Sequence, residues 1–182
     1  MKGIVFTGFL EMVETEFGMD VVDRITQDPA LSSHGSYTAV GNYPHDDMLK
    51  LVASLSETVG LSPRDLVFAF GKYLMNHFYE NYPVFFENTT GSIDFLKGIE
   101  EVIHTEVRKL YPDANLPVVD TSFDEAGALH MHYKSDKPFA DLAEGLIERS
   151  IEIFDDGCTM QRLEFKNTDG TSAHFVVAPG HE

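Results

Sequence analysis

Apolar residues recur at intervals of three and four through most of the first 111 residues, which is typical of amphipathic helices. The pattern begins around Val5 and Phe9 and returns in four further segments, over residues 18–28, 45–60, 62–83 and 89–111. Ser62 and Ser92 stand where the N-caps of the last two helices are expected. The sequence therefore predicts a helical N-terminal part that covers about residues 1–111.

The pattern changes after residue 117. Residues 128–135 alternate between apolar and polar side chains, which predicts a strand. A helical pattern follows over 137–156, and residues 160–179 predict a hairpin with its turn at 169–170. We therefore expect an α+β fold in a single domain, with a small antiparallel sheet and helices in the part that covers about residues 118–182.

Charge and cysteine content exclude several functions. The chain has 30 Asp and Glu against 13 Lys and Arg, a formal charge of −17, so nucleic acid and anionic membrane surfaces are poor partners. No segment reaches the roughly 18 apolar residues of a membrane span. The single cysteine, Cys158, excludes an intramolecular disulfide and any site with several thiolates. These features favour a cytoplasmic protein, and the absence of a long apolar stripe favours a monomer.

His104 is predicted to lie at the rim of an apolar stripe. On a helical wheel the stripe is formed by Leu96, Ile99, Ile103, Val107 and Leu110. A half-buried histidine with a hydrogen bond is the commoner interpretation of such a position. One histidine cannot form a structural zinc site, but it can be the sole protein ligand of a haem iron. The 14 Phe and 7 Met are compatible with the apolar cavity that haem needs.

Three donors follow at alternate positions, Tyr133, Ser135 and Lys137. In an extended chain they point to the same side. A phenol, a hydroxyl and an ammonium together can hold a pair of carboxylates, such as the propionates of haem. A strand end with ordinary polar residues is the alternative interpretation.

Taken in order, these motifs resemble the haem nitric oxide/oxygen-binding family, called H-NOX, which includes the haem domain of soluble guanylate cyclase. The resemblance rests on "MKGIVF", on "VIHTEVRKLYP" followed by Pro117, on the Tyr133-x-Ser135-x-Lys137 pattern, and on the helix "LAEGLIE" with Gly145. It covers essentially the whole chain. It implies a haem b held between a helical lobe and an α/β lobe, and Gly145 among the residues that contact it.

The resemblance also implies roles for individual residues. His104 matches the axial iron ligand, and Pro117 matches the proline that presses on the porphyrin and distorts it. Tyr133 and Ser135 match the first two positions of the Tyr-x-Ser-x-Arg signature that binds the propionates. The third position is Lys137 instead of arginine. The planar guanidinium that can bind a carboxylate through two N–H groups is thus replaced by a compact ammonium, which predicts weaker binding of the propionates.

By the same resemblance, the gas binds in a distal pocket on the face of the haem opposite the histidine. We expect the pocket to be formed by Val5, Phe9, Leu74, Phe78, Leu142 and Leu146. Leu142 stands where oxygen-binding members of the family carry a tyrosine, and Tyr73 is expected to face away. Because bound O₂ gains negative charge and needs a hydrogen-bond donor, an apolar pocket favours nitric oxide and carbon monoxide.

The expected protein is therefore a sensor of nitric oxide with a five-coordinate ferrous haem, and not an enzyme. Family behaviour implies that nitric oxide weakens the bond between iron and His104, so that the lobes rotate. The chain carries no kinase or cyclase sequence. We therefore expect it to signal to a separate protein, a histidine kinase or a cyclic-di-GMP enzyme.

Two other functions remain open on the sequence alone. A metal-dependent enzyme could use His130 and His132, which share one face of the predicted strand, with His174 as the third ligand. The other is a module of the same fold that has lost haem and binds a different apolar ligand, an alternative that Lys137 alone favours. Cys158 has no neighbouring motif that would make it a nucleophile, and we expect it to be structural.

Overall fold

The computed structural model describes residues 1–163 and 169–180. Its helices are α1 (Gly3–Phe17), α2 (Met19–Thr26), α3 (His45–Val59), α4 (Pro63–Asn81), α5 (Ser92–Lys97), α6 (His104–Leu110) and α7 (Ala140–Phe154). A short 3₁₀ turn covers Pro83–Phe85, and a π-helical turn covers Ile99–Ile103. None of the described helices is long and apolar enough to cross a membrane.

Helices α1 to α4 enclose the first of two apolar clusters. Phe6 and Phe9 of α1 are fully buried in it, and the Phe9 ring meets Phe70 of α4 edge to face at 5.3 Å. The start of α4 follows the sequence prediction, because the Ser62 hydroxyl accepts a hydrogen bond from the Asp65 amide at 3.1 Å. The predicted helical N-terminal part is therefore confirmed.

The C-terminal part contains an antiparallel sheet of strand order β1-β2-β4-β3. The strands are β1 (Val118–Phe123), β2 (Leu129–Lys134), β3 (Thr159–Leu163) and β4 (Ser172–Ala178). In β2 the alternation holds, since Leu129, Met131 and Tyr133 are buried. These side chains form the second apolar cluster with residues of α5 and α7, and the α+β prediction is confirmed.

The structure differs from the sequence predictions in several elements. Strand β1 was not predicted, because it is an edge strand in which Val119 alone is buried and the period of two is lost. Helix α7 begins two residues after Pro138. Strands β3 and β4 pair as the predicted hairpin requires, but residues 164–168 of its connection lie outside the described residues.

The largest difference concerns the helix that was predicted to carry His104 without a break. It consists of α5, the π turn and α6, which together we call the histidine helix (residues 92–110). The prediction of Ser92 as N-cap is wrong: Ser92 is the first residue of α5, and its amide and hydroxyl donate to the carboxylate of Asp156 at 2.7 and 3.1 Å.

Helices α4 and α7 approach each other closely at two glycines, and we call them the glycine-packed pair. A Cβ atom on Gly145 would lie 2.1 Å from the carbonyl oxygen of Phe68, and one on Gly71 would lie 2.4 Å from that of Leu142. Only hydrogen fits at such distances. The two glycines therefore fix the spacing of the two helices.

Candidate functional site

The π turn directly precedes His104. The His104 amide donates to the carbonyl of Ile99, five residues earlier, instead of four as in an α-helix. The extra residue rotates everything after it by about 100° relative to a continuous α-helix. This explains why the predicted stripe fails at its end, where Leu110 is 64 % exposed, although Ile99 and Ile103 still pack against the second cluster.

Within this helix the His104 ring lies against a carboxylate. Nδ1 of His104 is 2.8 Å from Oε2 of Glu100, and the imidazole side chain is only 13 % exposed. A carboxylate accepts hydrogen bonds, so Nδ1 carries the proton and donates it. An imidazole whose only proton is on Nδ1 has its lone pair on Nε2, which is the form that binds a metal.

Glu100 is itself held by two further donors. Its Oε1 accepts from the Arg108 guanidinium at 2.6 Å, and its Oε2 accepts a longer bond of 3.4 Å from the Val119 amide of β1. Burial raises the pKa of Glu100, but the hydrogen bonds from Arg108 and His104 outweigh it and bring the pKa below its ordinary value. The carboxylate is therefore ionised at neutral pH and joins the π turn to α6 and β1.

The structure brings the three predicted propionate donors together, but not as an extended strand. Strand β2 ends at Lys134, and the chain turns so that the Ser135 hydroxyl accepts from the Lys137 amide at 3.1 Å. Tyr133 is 5 % exposed and Lys137 is 8 % exposed. Burial raises the pKa of Tyr133, which therefore stays a neutral donor.

The buried ammonium of Lys137 has two partners on the surface side. Its Nζ is 2.7 Å from Oδ1 of Asp136 and donates to the carbonyl of Asn115 at 3.3 Å. The Asn115 amide also donates to Asp136, at 2.8 Å. Lys137 is thus a buried cation whose carboxylate partner, Asp136, is exposed.

The six residues predicted for the distal pocket all belong to one region. Phe9 and Leu74 are buried in the first cluster, and the other members pack against it: Val5, Phe78, Leu142 and Leu146. Leu146 also packs against the second cluster, so it lies where the two clusters meet. Tyr73, which was expected to face away from the pocket, is half-buried and packs against the first cluster.

The residues present fit a haem by the chemistry of their donors. A half-buried imidazole with its proton on Nδ1 suits the iron, and the buried phenol of Tyr133 and the buried Lys137 ammonium suit carboxylates. Pro117 is half-buried directly before β1. Gly145 has a packing role against Phe68, and its predicted contact with haem stays a prediction.

Two surface cavities of about 460 and 800 Å³ are not lined by any of the predicted haem contacts. The smaller is lined by α2, α3 and the residues that follow α2. The larger has charged walls, in which the Arg162 guanidinium binds Asp141 at 2.5 Å and Glu144 at 2.6 Å. Walls of this kind do not suit an apolar porphyrin.

The three histidines of the metal-enzyme alternative do lie together on the outer face of the sheet. Nδ1 of His130 is 2.9 Å from Nε2 of His174, and the rings of His132 and His174 stack at 4.1 Å. The lone pair of an imidazole nitrogen points in the plane of its ring. Because the rings of His132 and His174 are stacked, a metal in the plane of one ring does not lie in the plane of the other. In residues 1–163 and 169–180, no group of three or more His, Cys, Asp or Glu is arranged to hold a metal.

Sequence reasoning missed the residues that surround the predicted ligands. Glu100 stands four residues before His104, the spacing at which side chains on a helix meet, so this signal was present in the sequence. Arg108 lies eight residues after Glu100, and its contact with the carboxylate had no such signal. Asp136 and Asn115 carried no such signal, because their contact with Lys137 depends on how two loops fold against each other.

Comparison with known proteins places this arrangement in a family. A family model described as haem-NO-binding matches residues 2–162. The unliganded Fe(II) H-NOX protein from K. algicida is 35 % identical, with a TM-score of 0.92 over 100 % of this chain and 98 % of that one. The IWP-051-bound Fe(II)CO H-NOX from Shewanella woodyi is 37 % identical, with a TM-score of 0.83 over 99 % and 95 %.

A more distant relative shares the fold. The S. oneidensis H-NOX protein in the Fe(II)NO state is 23 % identical, with a TM-score of 0.89 over the full length of both chains. The comparison with curated proteins gives no match. The match to the family model and the two relatives above 30 % identity decide the assignment. The chain belongs to the haem-NO-binding, or H-NOX, family of haem-based gas-sensor domains.

Proposed function

We propose that this chain is a sensor that binds nitric oxide, and also carbon monoxide, at a ferrous haem b held by His104, and that it binds little or no O₂. The observation that carries the proposal is the contact between His104 and Glu100. It keeps the proton on Nδ1 and leaves the lone pair of Nε2 for iron.

The remaining contacts with haem are assigned to the predicted donors. Tyr133, Ser135 and Lys137 would hold the propionates, with Lys137 exchanging the carboxylate of Asp136 for a propionate. Pro117 would press on the porphyrin. When bound, the haem supplies the iron at which the gas binds.

Selectivity follows from the apolar residues of the proposed pocket, which belong to or pack against the first cluster. Leu142 and Leu146 of α7 offer no hydrogen-bond donor, and neither does Leu74 of α4. A bound O₂ surrounded by the six proposed pocket residues would receive no hydrogen bond from them to stabilise its negative charge, whereas nitric oxide and carbon monoxide need such a bond less. The Fe(II)NO and Fe(II)CO states of the relatives agree with these two ligands.

The proposed signal is a movement of the histidine helix. His104 is the first residue of α6, and its partner Glu100 contacts both Arg108 and β1. A displacement of His104 would therefore reach the sheet through Glu100. We propose that a cytoplasmic histidine kinase or cyclic-di-GMP enzyme detects this change, and that the sensor acts as a monomer in which the whole chain forms one haem-binding domain.

Absorption spectroscopy tests the proposal. The protein is produced with haem supplied, reduced under argon, and examined under argon, in air and with nitric oxide. We expect an intense Soret band that does not shift in air and moves with nitric oxide. A stable oxy spectrum would contradict the apolar-pocket argument, and the absence of any Soret band would favour a haem-free module that binds another apolar ligand.

A further inference from the structure

The carboxylate of Glu100 connects His104 to Arg108, because each of its two oxygens accepts a hydrogen bond from one of these side chains. Its Oε2 receives the Nδ1 proton of His104 at 2.8 Å, and its Oε1 receives an Arg108 N–H at 2.6 Å. The Val119 amide adds a third donor at 3.4 Å. Both carboxylate oxygens of Glu100 thus have donors. Of the two side chains that donate to it, the imidazole of His104 is less exposed than the guanidinium of Arg108.

The contact does more than an ordinary ion pair on a helix surface. An exposed ion pair contributes little to stability, and the contact between Glu100 and Arg108 alone would be such a pair. Here the same carboxylate also fixes the orientation and the tautomer of a half-buried ring. Histidines that bind metals usually donate their second N–H to such a partner, which raises the basicity of the ligand.

On the basis of the function proposed above, we infer that Glu100 is a positioning residue that sets how strongly His104 binds the iron. The carboxylate pulls on the Nδ1 proton and gives the ring partial negative charge. A more anionic ring donates more strongly through Nε2, which favours ferric over ferrous iron.

Arg108 limits this effect. Its positive charge lies on the other oxygen of the same carboxylate and withdraws negative charge from the side that faces His104. Removing Glu100 and removing Arg108 should therefore act in opposite directions. This opposition distinguishes tuning of the ligand from a loss of helix stability, which both changes would cause in the same direction.

The test uses the haem-loaded full chain with the variants E100Q, E100A and R108Q. In E100Q the amide oxygen still accepts from Nδ1, so the ring keeps its orientation but loses the negative charge. The measurements are the iron–histidine stretching frequency of the ferrous protein by resonance Raman spectroscopy, and the reduction potential. E106Q is the matched control, because Glu106 pairs with Lys109 on the same helix at 2.5 Å.

We expect E100Q to lower the stretching frequency and raise the potential, R108Q to shift both in the opposite direction, and E106Q to change neither. E100A should also release haem to apomyoglobin about tenfold faster or more, because the ring loses its support. Unchanged frequency and potential in E100Q and R108Q, with a normal Soret band, would overturn the role of Glu100 and leave the proposed function intact. A wild-type protein without a histidine-ligated haem would overturn the proposed function itself.

Discussion

The histidine helix and the glycine-packed pair are built by different forces. The histidine helix is interrupted by a π turn and held by charges, with Glu100 between His104 and Arg108. The glycine-packed pair is regular and held by backbone contact at Gly71 and Gly145. The histidine helix fixes the orientation of the His104 ring, whereas the glycine-packed pair fixes the distance between two helices that contribute to the proposed pocket.

This difference separates two requirements of a gas sensor. A ligand that must respond to small forces benefits from polar contacts, which can be exchanged at modest cost. A pocket that excludes donors must keep its shape, which close packing provides because interiors resist compression.

Substituting His104→Gly should abolish haem binding, because the only proposed protein ligand to the iron is removed. Added imidazole should restore the Soret band by filling the space that the ring leaves. His132→Gly, on the outer face of the sheet, serves as the control and should retain haem. Unchanged haem content in the His104 variant would show that the axial assignment is wrong.

Substituting Gly145→Ala should destabilise the glycine-packed pair by about 3 kcal/mol, since its Cβ would lie 2.1 Å from the carbonyl oxygen of Phe68. Urea denaturation monitored by circular dichroism measures the change. Gly98→Ala is the matched control: its nearest contact would be 3.4 Å, so it should be neutral or slightly stabilising. Equal effects of the two substitutions would argue against a special role for the close contact.

Substituting Leu142→Tyr should give the pocket a hydrogen-bond donor without altering the histidine helix. We expect a stable oxy spectrum in air that the wild-type protein lacks, because the phenol can donate to bound O₂. Leu142→Phe adds a ring of similar size without the hydroxyl, and it should not bind O₂. If Phe and Tyr behaved alike, pocket volume and not the donor would control the choice of gas.

Substituting Lys137→Arg should slow the release of haem several-fold, because a planar guanidinium can form two parallel bonds with a carboxylate. Transfer of haem to apomyoglobin measures the rate. Lys134→Arg, on the exposed end of β2, is the control and should leave the rate unchanged. A faster release from the Lys137 variant would indicate that the buried site fits the smaller ammonium better.

The same contrast explains which parts of the structure could be predicted from the sequence. The alternation of β2 and the Ser62 cap depend on neighbouring residues, and both were predicted. The π turn could not be, because the sequence "IEEVI" suits an ordinary α-helix equally well. The place of Glu100 in the site could have been found from its spacing to His104. The partner of Ser92, Asp156, is 64 residues away in sequence and carried no local signal.

Asp156 anchors the start of the histidine helix, and its removal should have the smallest effect. Burial raises the pKa of Asp156, but hydrogen bonds from the Ser92 amide and hydroxyl outweigh it and lower the pKa below the usual 3.8. The stabilisation is therefore complete above pH 3.8 and is lost as the pH falls through the lower folded-state pKa. Asp156→Asn should cost about 1 kcal/mol at pH 7, as for a lost helix cap on an exposed residue. Urea denaturation at pH 7 and near pH 3 should show the difference from wild type shrinking at the lower pH. A difference that is the same at both values would mean that the charge of Asp156 is not what holds Ser92.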